Sequence, residues 1–144
     1  GYENRQLTKQ QFRDDTVDAG EVGSGQSVTA LYEIHLQGDP NLPLGTVRVR
    51  YRNLDTGEVE EIARPISAGD LVREFDRADI RFRLAAAVAS FAEKLRGSPF
   101  TDHLEYRDIA GMLRPVAMEL ELDGYVQELS RLVQAASNLP RAAE

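Results

Sequence analysis

The chain has 144 residues, no cysteine and a formal net charge of −7, from 24 acidic and 17 basic side chains. Its length fits one domain with a sizeable core, and its composition is that of an ordinary globular protein. The acidic balance argues against nucleic acid and anionic lipid as partners, because both are bound mainly through Lys and Arg. The lack of cysteine excludes disulfides and thiolate metal sites.

The first half of the chain is predicted to form a small antiparallel sheet. The clearest segment follows a glycine-rich, acidic approach, and in it Val28, Tyr32 and Ile34 alternate with polar residues. That period of two is typical of a half-buried strand. A turn signal at Asn53–Gly57 separates two further strands, of which the second is charged and reads as an edge strand. The predicted strands are 2–7, 27–36, 46–52 and 58–64.

Opposite charges on the last two strands suggest how they pair. Glu58 and Glu60 are expected to lie across from Arg50 and Arg52, where each pair would contribute a few tenths of a kcal/mol. The exact register is left open by the sequence.

In the second half the hydrophobic period changes from 2 to 3.6, which predicts three helices at 76–96, 103–121 and 124–137. Gly97 is a candidate C-cap of the first helix, whose apolar face is wide enough to be covered on two sides. Pro115 is expected to kink or restart the second helix, and Asp123 to cap the third. Because the strands precede the helices, the class is α+β, with a β part at 1–66 and a helical part at 70–138 of one domain.

The approach to the first clear strand holds the candidate metal ligands. They are acids, which could supply oxygen ligands to Ca²⁺ or Mg²⁺: Asp14, Asp15, Asp18 and Glu21. Their spacing is not that of an EF-hand loop, so a solvated acidic loop is the favoured interpretation. Residues 20–27 mimic a phosphate-binding loop, but Gln26 replaces its lysine and a strand follows where a helix is required. No cofactor is expected.

Arginines form the candidate partner-binding surface. Arg73, Arg77 and Arg81 recur every four residues, as on one face of a helix, and cations near a helix N-terminus need acidic partners. The alternatives are a contact with another protein or domain and a salt-bridged solvent face. No catalytic residue is expected, because His35 and His103 have no nucleophile or carboxylate at a recognised catalytic spacing.

Segments spread over the whole chain resemble a bacterial family, and the most specific of them is DAGEVGSGQSVTALYEI at 18–34. GYENR at 1–5, VRVRY at 47–51, FRLAAAVASFAEKLRGS at 82–98 and GYVQELSRLV at 124–133 also fit. The chain is similar to the C-terminal domain of unknown function that follows the von Willebrand factor type A domain in uncharacterised bacterial proteins.

That resemblance implies a C-terminal piece of a longer, cell-envelope protein, and a chain that begins with Gly1 agrees with it. It also implies a partial β-sandwich whose exposed sheet edges invite dimerisation. The adhesion-site motif D-x-S-x-S of the upstream domain does not occur here. We therefore expect a non-enzymatic accessory domain that supports or positions the von Willebrand A domain for binding an unknown protein. The alternative is a divalent-metal-binding module or metal-dependent enzyme that uses the acidic loop 14–21.

Overall fold

The computed structural model describes residues 7–17, 20, 22–23, 25–37 and 43–139. The chain divides into two compact units, Gly1–Leu71 and Val72–Glu144. The first unit contains a two-stranded antiparallel sheet and the second contains three α-helices, which confirms the α+β class. No helix in the described part of the chain is both long and apolar enough to cross a bilayer.

The sheet is a hairpin of β1, Gly45–Arg52, and β2, Val59–Ile66. Asn53 starts the turn by accepting a hydrogen bond from the backbone N–H of Asp55 at 2.9 Å. Gly57 completes the turn at φ +73°, a left-handed conformation that costs glycine little. The strands predicted at 46–52 and 58–64 are therefore confirmed.

The strand predicted at 27–36 is wrong. This segment has no regular secondary structure, and Val28 and Tyr32 are 76% and 84% exposed. Alternation shows only that a segment could bury one face, whereas a strand also needs a neighbour to receive its backbone hydrogen bonds. The structure describes no such neighbour for it. The strand predicted at 2–7 falls almost wholly outside the described residues.

The predicted cross-strand ion pairs are also wrong, because the register differs from the one expected. Arg50 lies opposite Glu61, and Glu60 lies opposite Tyr51 on the other face of the hairpin. The Glu61 carboxylate accepts a hydrogen bond from Arg48 at 2.7 Å instead. A shift of one residue moves a side chain to the opposite face, so charge pattern alone could not fix these partners.

The three helices are α1, Ile80–Leu95, α2, Tyr106–Glu119, and α3, Gly124–Ser137. α1 begins four residues later than predicted because Asp79 caps it, accepting a hydrogen bond from the N–H of Arg81 at 2.8 Å. α2 begins three residues later than predicted, where the Asp108 carboxylate accepts a hydrogen bond from the backbone N–H of Glu105 at 2.8 Å. It continues through Pro115 without restarting. The predicted cap at Asp123 is confirmed, since its carboxylate accepts from two backbone N–H groups of α3.

The core of the helical unit lies between α2 and its two neighbours. Ile109, Leu113 and Val116 of α2 are fully buried, as the sequence predicted. They pack with Val133 of α3 and with a side of α1 formed by Ala87 and Phe91. The rest of the wide apolar face of α1, which the sequence predicted to be covered on two sides, leaves Phe82, Val88 and Leu95 exposed within this chain.

Candidate functional site

Asp14, the first candidate metal ligand, is engaged in a local turn. The hydroxyl and the backbone N–H of Thr16 donate to the same Asp14 oxygen, at 2.6 and 2.9 Å. These two hydrogen bonds lower the pKa of the Asp14 carboxyl group. The Asp14 side chain is thus held by its own loop.

Asp15 is engaged by the hairpin. Its carboxylate pairs with Nη2 of Arg50 at 2.6 Å, and the same guanidinium donates through Nη1 to the carbonyl of Phe12 at 2.6 Å. The guanidinium also lies over the Phe12 ring, 5.9 Å from its centroid. Arg50 therefore joins residues 12–15 to β1, and Asp15 has a structural partner.

Within the described residues, no group of three or more His, Asp or Glu side chains could hold a metal ion. The remaining two candidate ligands, Asp18 and Glu21, lie outside the described residues. The structure thus brings Asp14 and Asp15 to one loop but gives each of them a protein partner.

The candidate arginine surface is not a helical row. Arg73 lies in a bend and Arg77 in a 3₁₀ turn, so only Arg81 belongs to α1. The row is interrupted because Asp79 sets the start of the helix. Arg77 pairs with Glu74 at 2.9 Å, whereas Arg81 lines a shallow depression beside the acidic α2–α3 connection. The three arginines therefore do not lie on one helix as the spacing indicated, and their role in binding a partner stays a prediction.

One buried arginine was missed by the sequence analysis. Arg83 is only 7% exposed, and its Nη1 donates to the carbonyl of Asp76 at 3.2 Å. Its Nε has no hydrogen-bond partner among the described residues. Arginine is usually exposed, so only its position on the same helical face as Ala87 and Phe91 could have indicated burial.

The hairpin has two chemically different faces. The arginine face carries Arg48, Arg50, Arg52 and Glu61. The other face, here called the apolar face of the hairpin, is defined by the register as Val47, Val49, Tyr51 and Ile62. Between 42% and 57% of each of these four residues is exposed. Val47, Val49 and Ile62, together with neighbouring residues of β2, line an open groove that the described sheet offers to a partner.

A polar cluster closes one end of that apolar face. The Tyr51 hydroxyl donates to one oxygen of the Glu60 carboxylate at 2.6 Å, and the Asn53 amide donates to the other at 2.7 Å. Both hydrogen bonds lower the pKa of Glu60, and the one from Tyr51 has the larger effect. The hydrogen bond between Tyr51 and Glu60 also raises the pKa of Tyr51. At the other end, hydrogen bonds from Ser67 lower the pKa of Asp70, which also lies 3.5 Å from Arg64.

The chain thus has an α+β fold with a half-exposed apolar face on its described sheet. A family model described as "Uncharacterized protein YfbK, C-terminal" matches residues 1–139, so the chain belongs to that family. It is similar to the uncharacterized protein YfbK of Escherichia coli strain K12, with 29% identity over 96% of this chain. The chain spans only 26% of that relative's length. No solved structure matches it.

Proposed function

We propose that this chain is a non-catalytic accessory domain that supports or positions an upstream von Willebrand A domain for binding another protein. The observation that carries the proposal is the family membership, because the family is named for a C-terminal region and the relative is about four times as long as the match. The uncovered apolar face of the hairpin supports it, since exposed apolar patches commonly mark protein contacts.

The engagement of the candidate site residues agrees with a structural role. Asp14 and Asp15 hold the loop and the hairpin together, and the hydrogen bonds of Glu60 and Asp70 stay within the hairpin unit. Each of these four carboxylates therefore has a hydrogen-bond partner within the first unit. The von Willebrand A domain enters the proposal through the sequence resemblance of 18–34 and the other matching segments.

The first test is the reading frame of the parent gene, which should encode a von Willebrand A domain with a D-x-S-x-S motif before Gly1. The second test compares three baits in pull-downs from the source bacterium: the A domain alone, this chain alone and the two joined. We expect the joined protein to retain a partner more strongly than the A domain alone. Equal recovery by the A domain alone would contradict an accessory role.

A further inference from the structure

The apolar face of the hairpin belongs to a sheet of only two strands, as far as the described part of its own unit goes. Val47, Val49 and Tyr51 of β1 lie beside Ile62 of β2, and each is about half exposed. An isolated two-stranded hairpin is marginally stable in water and normally needs packing against another element. The hairpin therefore presents an apolar surface that is left half exposed.

Residues 12–15 contact the other face of the same hairpin through Arg50. Arg50 holds the loop at Phe12 and Asp15, and Arg48 pairs with Glu61. Residues 28–36 leave their own apolar side chains exposed rather than shielding the sheet. The described N-terminal loop therefore contacts the arginine face of the hairpin, and the apolar side chains of the opposite face stay half exposed.

The size of the surface favours one kind of occupant. Four half-exposed side chains present on the order of a few hundred Å², less than the about 800 Å² that each partner of a stable complex buries. Contacts between domains of one polypeptide bury as little as about 600 Å² in total. Tethering raises the effective concentration of the two surfaces, so a small patch suffices within one chain.

We infer that the apolar face of the hairpin is the docking surface for the upstream polypeptide of the parent protein. This inference rests on the proposed function and names the surface through which it acts. Because the relative is about four times as long as the matched region, the parent has ample chain to supply the cover.

The charges beside the patch define the chemistry of the occupant. Arg64 lies opposite Val47, its side chain is 81% exposed, and it pairs with Asp70 at 3.5 Å. The docking surface of the upstream polypeptide should therefore present apolar side chains with an acidic group near Arg64.

Thiol labelling tests this surface, because the chain has no cysteine of its own. Val49→Cys and Ile62→Cys place single thiols on the apolar face, and Leu122→Cys, at a 95% exposed position of the helical unit, is the matched control. Alkylation by N-ethylmaleimide is followed by mass spectrometry of the labelled peptide, in the isolated chain and in the parent protein. Circular dichroism confirms that each variant is folded.

We expect both hairpin thiols to react at least about tenfold more slowly in the parent than in the isolated chain, and the control thiol to react at similar rates in both. Adding Arg64→Glu to the parent should restore fast labelling of the thiol at position 49, and Arg64→Lys should not. Equal rates in the two proteins at both hairpin positions would overturn the inference.

Two further outcomes separate this inference from the proposed function. Slowing at position 122 but not at 49 or 62 would refute this surface and leave an accessory role in place. Slowing in the isolated chain as its concentration rises would show that a second copy covers the face, and would overturn the upstream polypeptide as occupant.

Discussion

Arg50 is the residue through which the first unit holds its N-terminal loop. Its guanidinium contacts the Phe12 carbonyl, the Phe12 ring and the Asp15 carboxylate, and its side chain is 20% exposed. Such a shared partner is invisible in sequence, because residues 12–15 and 50 are far apart along the chain. For that reason the sequence suggested that Asp14 and Asp15 were free to bind a metal ion.

Replacing Arg50 with Gln should loosen the loop. The substitution removes the charged hydrogen bonds that Arg50 makes to the loop. Because Asp15 is exposed to solvent, we expect this loss to lower the free energy of opening the loop by only about 1 kcal/mol. We expect trypsin to cleave after Arg13 about fivefold faster in Arg50→Gln than in the natural protein, because cleavage follows the open population. Arg52→Gln is the control and should leave the cleavage rate unchanged, because the Arg52 side chain donates to the Gly57 carbonyl within the hairpin turn.

The hydrogen bond between Tyr51 and Glu60 makes a prediction about pH. Because the pKa of Glu60 is lowered on folding, its contribution to stability is present above the ordinary glutamate pKa and is lost as pH falls through the lowered value. In Tyr51→Phe the Glu60 pKa should rise toward its ordinary range, as followed by NMR titration of the carboxylate carbon. Tyr125→Phe, at an exposed position of α3, is the control. An unchanged Glu60 titration in Tyr51→Phe would contradict the assigned cause.

Among the elements, the helices followed most closely from sequence. Their apolar period placed Ile109, Leu113 and Val116 in the core, and the cap at Asp123 followed from its position before α3. The start of α1 was missed because a capping aspartate overrode the hydrophobic pattern that began before it. The strand predicted at 27–36 failed for another reason, since burial of a strand depends on a partner that local sequence does not contain.

Ile109→Ala should strongly destabilise the helical unit. Ile109 is fully buried at the centre of the core, and truncating such a side chain leaves a cavity that costs about 2–5 kcal/mol. Urea unfolding followed by helical circular dichroism measures the loss. Leu122→Ala, at a 95% exposed position, should change the free energy of unfolding by less than about 0.5 kcal/mol. Equal effects of the two substitutions would show that the core is placed wrongly.

Removing the α3 cap should have a smaller effect on the same unit. Asp123→Ala deletes the carboxylate that accepts from the N–H groups of Tyr125 and Val126, a loss of about 1 kcal/mol. Asp123→Asn keeps an accepting oxygen and should retain most of the stability. The two variants are compared by the same urea unfolding, and an indistinguishable loss in both would argue against capping.

At the scale of the whole molecule, the chain is two units that differ in whether they bury a hydrophobic core. The helical unit has such a core, around Ile109, Leu113, Val116 and Val133, although it also leaves apolar side chains of α1 exposed. The hairpin unit has none among the described residues, and it leaves Val47, Val49 and Ile62 half exposed. The α+β class followed from the order of strand and helix patterns, whereas the uncovered face became evident only from the register.

That difference explains why the chain is proposed to act as part of a longer protein. Its family is defined as a C-terminal region, and the E. coli relative is about four times the length of the match. An upstream domain that packs on the hairpin would gain rigidity and would in turn stabilise the hairpin, because binding to the folded form of either favours that form.

Hydrogen exchange of the proposed upstream von Willebrand A domain, measured in the parent protein with and without residues 1–144, tests the proposed accessory role most directly. Support by this chain predicts that a contiguous set of amides in the A domain exchanges at least about tenfold more slowly when the chain is attached. Identical exchange at every amide of the A domain in the two proteins would contradict it.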